Sequence, residues 1–204
     1  IFSNFGAEKP PLRQAARRWQ KYKIKIVNKQ HIEMKLSRQI ISEFLEIITK
    51  NLSSPKTLIL NFTKPNILEI EISDSIEINN ENEFENLKNN QFELIIGDLP
   101  FGLQSVEIET SSKLKVNKNW SYILSALRKL EVQGKAFFLV DPSILFSQQS
   151  KRFLKELSLE DYFVNSVFEL PEKLLYPETA FQPIIIGFER IQNQNLFIGE
   201  ITAE

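Results

Sequence analysis

Asp98, Leu99, Pro100 and Phe101 put a carboxylate, a rigid corner and an aromatic ring in consecutive positions. They follow Phe92–Ile96, a mostly apolar run that reads as a short buried strand, and Gly97, where that strand is expected to stop. An acid at the carboxyl end of a buried strand is where open α/β sheets place their chemistry. Pro100 fixes its own φ and biases Leu99 toward an extended conformation. The Asp98 side chain, the Leu99 carbonyl and the Phe101 ring are therefore expected to face one pocket. Such a set can hold a flipped nucleobase by its exocyclic amine. The carboxylate and the carbonyl each accept an N–H, and the ring stacks on the base face. The tetrapeptide pattern alone arises by chance in roughly one chain in ten of this length, so the rest of the chain has to decide.

These four residues resemble the Asp/Asn/Ser-x-Pro-Phe/Tyr/Trp motif of amino-directed methyltransferases, which use S-adenosylmethionine. The DNA enzymes usually carry Pro where this chain has Leu99, and Leu at that place is familiar from rRNA adenine dimethyltransferases. The resemblance makes Asp98, Leu99, Pro100 and Phe101 the expected catalytic residues and leaves DNA or RNA open as the substrate.

The elements that must position this motif are legible on both sides of it. Upstream, Ser37–Leu52 has the spacing of an amphipathic helix, with Ile40, Ile41, Phe44, Leu45, Ile47, Ile48 and Leu52 on its apolar face and Ser37 as its cap. Thr57–Phe62 reads as a buried strand, Ile67–Ile72 as a second and Glu81–Asn89 as a short helix. The segment from Phe62 to Ile67 is too short for a parallel crossover, which takes about a dozen residues or more. An antiparallel pairing of Ile67–Ile72 with its predecessor is expected. Downstream, Leu103–Asn117 reads as a polar, mobile loop, Asn119–Leu130 as a helix, Gly134 as a turn and Lys135–Val140 as a buried strand. Phe146–Leu157 then reads as a basic helix, and Tyr162–Leu170, Gln182–Glu189 and Asn195–Ile201 as strands.

The order of these later pieces is similar to that of the type I restriction-modification methylation subunit and related N6-adenine DNA methylases. Gly134–Val140, Leu145-Phe146, Leu170-Pro171, Leu174, Thr179 and Ile184–Ile186 carry the similarity, and Tyr176 and Pro177 fall slightly differently. The resemblance implies a doubly wound, Rossmann-like α/β methyltransferase sheet with C-terminal antiparallel strands. It implies S-adenosylmethionine as cofactor, with Asn61, Phe62 and Asp74 at its site. It also implies DNA as partner, and a specificity subunit or a further domain of the same chain. The family carries Asp-Pro-x-x-Gly-x-Gly after the first strand. Here Asn61–Asn66 contains no glycine, so the cofactor half is shortened or degenerate. Two functions follow: an N6-adenine DNA methyltransferase, or a methyltransferase-like domain that has lost its cofactor and binds nucleic acid or a protein partner.

Composition narrows the rest. The formal net charge is −1, but residues 1–38 are rich in Lys and Arg and residues 69–93 in Asp and Glu. Arg13, Arg17, Arg18 and Lys21 are candidate phosphate contacts, with a solvated face or intramolecular charge pairing as the alternative. Residues 1–35 are read as a basic appendage and 36–204 as the methyltransferase-like domain. The chain has no cysteine and one histidine, His31, which leaves almost no material for a metal site or a Ser-His-Asp device. No apolar run approaches the length that spans a bilayer. A cytoplasmic protein, an excerpt of a longer chain, is expected.

Overall fold

A computed structural model describes residues 34–50, 52, 54–63, 72–102, 104–109, 113–172, 174–175, 182–192 and 195–201. Arg13, Arg17, Arg18, Lys21, His31, Tyr176, Pro177, Thr179 and most of the expected strand Ile67–Ile72 lie outside these residues.

Seven strands form one sheet in the order β2-β1-β3-β6-β8-β7-β9. They are β1 (Thr57–Asn61), β2 (Ser75–Ile78), β3 (Phe92–Asp98), β6 (Leu130–Val140), β7 (Phe163–Glu169), β8 (Ile184–Glu189) and β9 (Phe197–Glu200). Neighbours run parallel from β2 through β6. β8 runs antiparallel to both β6 and β7, and β9 is parallel to β7. A single reversed strand thus interrupts an otherwise parallel sheet. β4 (Ser105–Glu109) and β5 (Lys113–Asn117) form a separate antiparallel hairpin. The helices are α1 (Met34–Thr49), α2 (Lys118–Leu127), α3 (Ser143–Phe146) and α4 (Gln148–Leu159), with a 3-10 helix at Glu81–Asn86.

Side chains alternate across a strand, and two apolar clusters result. On one face Ile40, Ile41, Phe44 and Leu45 of α1 pack on Ile59, Leu94, Ile96, Phe137 and Leu139. Phe44 meets Phe137 and Phe168 edge-on, with centroids 5.9 and 4.8 Å apart. On the other face Leu58, Leu60, Ile95 and Phe138 meet Trp120, Ile123 and Leu127 of α2 and Phe153 and Leu157 of α4. Burying each such side chain contributes about 1.5–3 kcal/mol, and covering both faces is what a parallel sheet requires.

Several elements differ from the expectation. α1 begins at Met34, so Ser37 lies inside the helix rather than capping it. Ile47 is exposed, at the margin of the apolar stripe. β1 is flanked on both sides by parallel partners, β2 and β3, so neither edge is left for an antiparallel neighbour. The strand beside β1 is Ser75–Ile78, and the residues from Phe62 to Asp74 are enough for a parallel crossover. Leu103–Asn117 contains a hairpin: Val106, Ile108, Leu114 and Val116 alternate with polar residues, and Ile108 and Val116 are buried. Gly134 sits within β6, beside a register shift against β3. A side chain there would come within 3.0 Å of the Phe92 carbonyl. The expected helix Phe146–Leu157 is α4, Gln148–Leu159; Phe146 instead ends α3, and Ser147, whose extended backbone (φ −77, ψ 154) separates the two, caps α4.

Candidate active site

The chain goes from β1 to β2 on one side and then returns to β3 on the other, so the strand order reverses between β1 and β3. The crevice outside the carboxyl ends of two such strands is where open α/β sheets bind ligands. Here the terminal residues of the two strands are Asn61 and Asp98, which stand opposite one another in register. The backbone is closed just beyond them, where Phe62 N donates to the Asp98 carbonyl (3.1 Å).

Asp98 is fully buried (0% exposed). By strand alternation its side chain lies on the α1 face, with Leu94 and Ile96. The Thr63 hydroxyl donates to Asp98 Oδ2. Asn61 is 5% exposed, and its Nδ2 donates to Glu77 Oε1 of β2 at 2.6 Å. Asn61 Oδ1 is buried and has no hydrogen-bond partner among the described residues. Phe101 is half-buried and packs against the α1-side cluster. Glu77, Asn61, Thr63, Asp98 and Phe101 therefore gather at the carboxyl edge on the same side of the sheet.

The rest of the motif is held from behind. Leu99 is buried in the opposite cluster, and its N–H donates to the Leu139 carbonyl (3.2 Å). The Pro100 carbonyl accepts from Asn119 Nδ2 (2.8 Å). Just past the neighbouring strand β6, Asp141 Oδ1 accepts from Ser143 N (2.7 Å) at the start of α3. α3 leaves Phe146 78% exposed just past the carboxyl end of β6.

The other expected residues fall elsewhere. The Phe62 ring is turned to the α2 side, edge-on to Tyr122 (4.8 Å) and Phe84 (6.0 Å). Asp74 lies at the amino end of β2, where its carbonyl accepts from Thr57 N (2.8 Å). The structure does not bring Asp74 to Asp98, because the two stand at opposite ends of parallel strands. The acid that does reach the carboxyl edge on that strand is Glu77. Thr63, Glu77 and Asn119, which hydrogen-bond to Asp98, Asn61 and Pro100, are the residues of this candidate site that sequence reasoning missed. Glu77 is detectable in principle as the last acid of β2 once that strand is placed, whereas Thr63 and Asn119 carry no local signal.

A profile of the family described as N-6 DNA Methylase matches residues 25–201. The chain belongs to the N-6 DNA methylase family. No curated protein matches it in sequence. Solved structures share its fold at low identity. A protein of Listeria monocytogenes described as a class I S-adenosylmethionine-dependent methyltransferase aligns with a TM-score of 0.59 at 12% identity, over 86% of this chain and 68% of that one. The methyltransferase subunit of a type I restriction-modification system from Streptococcus thermophilus gives 0.54 at 10% identity, over 82% and 45%. A modification subunit of a type I restriction enzyme from Vibrio vulnificus gives 0.51 at 12% identity, over 84% and 49%. The chain thus spans about half the length of these type I subunits. The family match and these folds support a Rossmann-like methyltransferase sheet, the architecture that the order of motifs implied. Among the described residues no helix is long and apolar enough to cross a membrane, and no cluster of three or more His, Cys, Asp or Glu residues is placed to hold a metal ion.

Proposed function

We propose that the chain is the catalytic module of an S-adenosylmethionine-dependent methyltransferase acting on the exocyclic amine of adenine in DNA. The observation that carries this reading is the position of the motif. Buried Asp98 ends the central strand at the point where strand order reverses, with Phe101 on the same side. In this reading Asp98 and the Leu99 carbonyl accept the two N–H bonds of the amine, and Pro100 holds the corner. Phe101 stacks on the flipped base. Asp98 acts by hydrogen bonding and by stabilising the positive charge that develops on nitrogen, so it need not be a strong base.

The acceptors at the edge suit the cofactor. Asn61 Oδ1 is a buried acceptor without a partner among the described residues, and the Glu77 carboxylate lies beside it. S-adenosylmethionine presents ammonium and hydroxyl donors, so Asn61 and Glu77 would hold it. When bound, it supplies an electrophilic methyl group. We further propose Arg13, Arg17, Arg18 and Lys21, in a basic appendage of residues 1–35, as phosphate contacts, and a specificity subunit or further domain as the source of sequence recognition.

A second reading is favoured by two observations. Asn61–Asn66 lacks glycine, and the Thr63 hydroxyl already engages Asp98. Under it the domain has lost its cofactor and serves as a binding module for nucleic acid or a partner. Calorimetric titration with S-adenosylmethionine and S-adenosylhomocysteine separates the two. The first reading expects micromolar binding that Asn61→Ala and Glu77→Gln weaken. It also expects methylation of adenine-containing DNA that Asp98→Ala lowers by about 10²–10³. A folded protein that binds neither molecule establishes the second reading instead.

A further inference from the structure

We infer that Asn119, on a different element from the motif, is a positioning residue that sets the direction of the Leu99 carbonyl. This rests on the methyltransferase reading above. Asn119 is 2% exposed, in the first turn of α2. Its Nδ2 donates to the Pro100 carbonyl at 2.8 Å. That assignment is unambiguous, because a carbonyl only accepts. Its Oδ1 is buried and has no hydrogen-bond partner among the described residues. An apolar side chain of similar size would remove that unmet oxygen and would also take the donor from the Pro100 carbonyl.

What the side chain does is complete a three-point restraint. The Leu99 N–H is held by the Leu139 carbonyl at 3.2 Å. The Pro100 ring fixes φ. Asn119 Nδ2 holds the Pro100 carbonyl and so restrains ψ of Pro100. The peptide group between Leu99 and Pro100, whose oxygen is the proposed acceptor for the amine, is thus fixed from both sides. An acceptor aimed before the substrate arrives needs no reorganisation during the reaction.

The hairpin explains how a residue this far along the chain reaches the motif. Gly102 takes a left-handed φ of 69° and turns the chain out. β4 and β5 then run out and back, and their ends meet where Ser105 pairs with Asn117. Lys118 N donates to the Gln104 carbonyl (3.1 Å). Asn117 Oδ1 accepts from Asn119 N (2.9 Å) and caps α2. The chain is thereby returned to Pro100 with the Asn119 backbone already anchored. The hairpin serves as a brace for the motif.

The test compares wild type with Asn119→Leu and Asn119→Asp. Asn119→Leu removes the clamp and the unmet oxygen together. Asn119→Asp keeps the size and replaces the donor by an acceptor. The readouts are melting temperature, S-adenosylmethionine affinity by calorimetry, and kcat and KM on mixed-sequence genomic DNA free of N6-methyladenine. The inference is read from activity per folded molecule, because Asn119→Leu also leaves the Pro100 carbonyl without this donor. It expects kcat to fall at least about tenfold in both variants, since small misplacements of reacting groups cost up to about 10²-fold. Cofactor affinity should stay within twofold. A lowered melting temperature with unchanged kcat per folded molecule overturns the inference and makes Asn119 structural. If Asn119→Leu does not fold, the same kcat criterion is applied to Asn119→Asp. A folded wild type that binds neither S-adenosylmethionine nor S-adenosylhomocysteine overturns the methyltransferase reading and this inference with it. An active wild type with unaffected variants overturns this inference alone.

Discussion

Replacing Thr63 by Val tests whether the segment after β1 is latched to the buried acid of the motif. The Thr63 hydroxyl donates to Asp98 Oδ2, and Asp98 is fully buried. Removing one partner of a buried hydrogen bond costs roughly 1–3 kcal/mol. Valine keeps the β-branched shape, so the change isolates the hydroxyl. A loss of about 2 kcal/mol is therefore expected. In a chain of 204 residues, each kcal/mol moves the melting temperature by about 2–4 °C, so Thr63→Val should melt about 4–8 °C below wild type. Thr63→Ser retains the donor and, having lost only a half-buried methyl group, should fall by less than about 1 kcal/mol. Urea denaturation of Thr63→Val, Asp98→Ala and the double variant gives the coupling directly, and at least about 1 kcal/mol is expected. Additivity within about 0.3–0.5 kcal/mol, or a Thr63→Val protein that melts with wild type, would refute the latch. The β1-to-β2 connection would then be independent of Asp98.

Other outcomes follow from the packing. Gly97→Ala would bring a Cβ to 2.6 Å from Phe138 Cδ1 and 3.1 Å from Cε1, in a fully buried ring; a loss of about 1–3 kcal/mol in denaturant unfolding is expected, and an unchanged midpoint would contradict it. Ser150→Ala removes the acceptor of Trp120 Nε1 (3.2 Å) and leaves that N–H buried, which should destabilise by about 1–3 kcal/mol, as read by loss of near-ultraviolet tryptophan dichroism at lower urea. Burial raises the pKa of the Tyr162 phenol, partly offset by Arg190, whose guanidinium lies 5.2 Å over the ring. The folded value lies above the unfolded one, so this contribution is fully present below about pH 10 and is lost as pH rises through the folded value. Tyr162→Phe should flatten that alkaline decline in urea midpoints measured from pH 8 to 11, and an identical decline in the variant would rule the assignment out.

The sequence alone determined what is written in short range. The apolar run from Phe92, the acid, the proline corner and the aromatic ring lie together in the chain. Their place at the end of a central buried strand follows from hydrophobic pattern and backbone restriction. The apolar stripe of Ile40, Ile41, Phe44 and Leu45 and the strand Thr57–Asn61 were legible for the same reason. The order of later elements was enough to imply the sheet, because each carries its own run of apolar residues. Local composition misled where it opposed alternation. The Ser, Thr and Lys content of 103–117 conceals the Val106, Ile108, Leu114 and Val116 pattern that makes the hairpin.

Only the tertiary structure decided which acid of the second strand region reaches the carboxyl edge beside Asn61. Asp74 and Glu77 differ by less than one strand length, yet they stand toward opposite ends of the sheet because β2 runs parallel to β1. Strand direction is a property of pairing, and no single strand encodes it. Thr63 on Asp98, Asn61 on Glu77 and Asn119 on Pro100 are contacts across 35, 16 and 19 residues of chain. Each depends on where crossovers and a hairpin return the backbone, and a polar residue in a loop carries no mark of the partner that folding will give it.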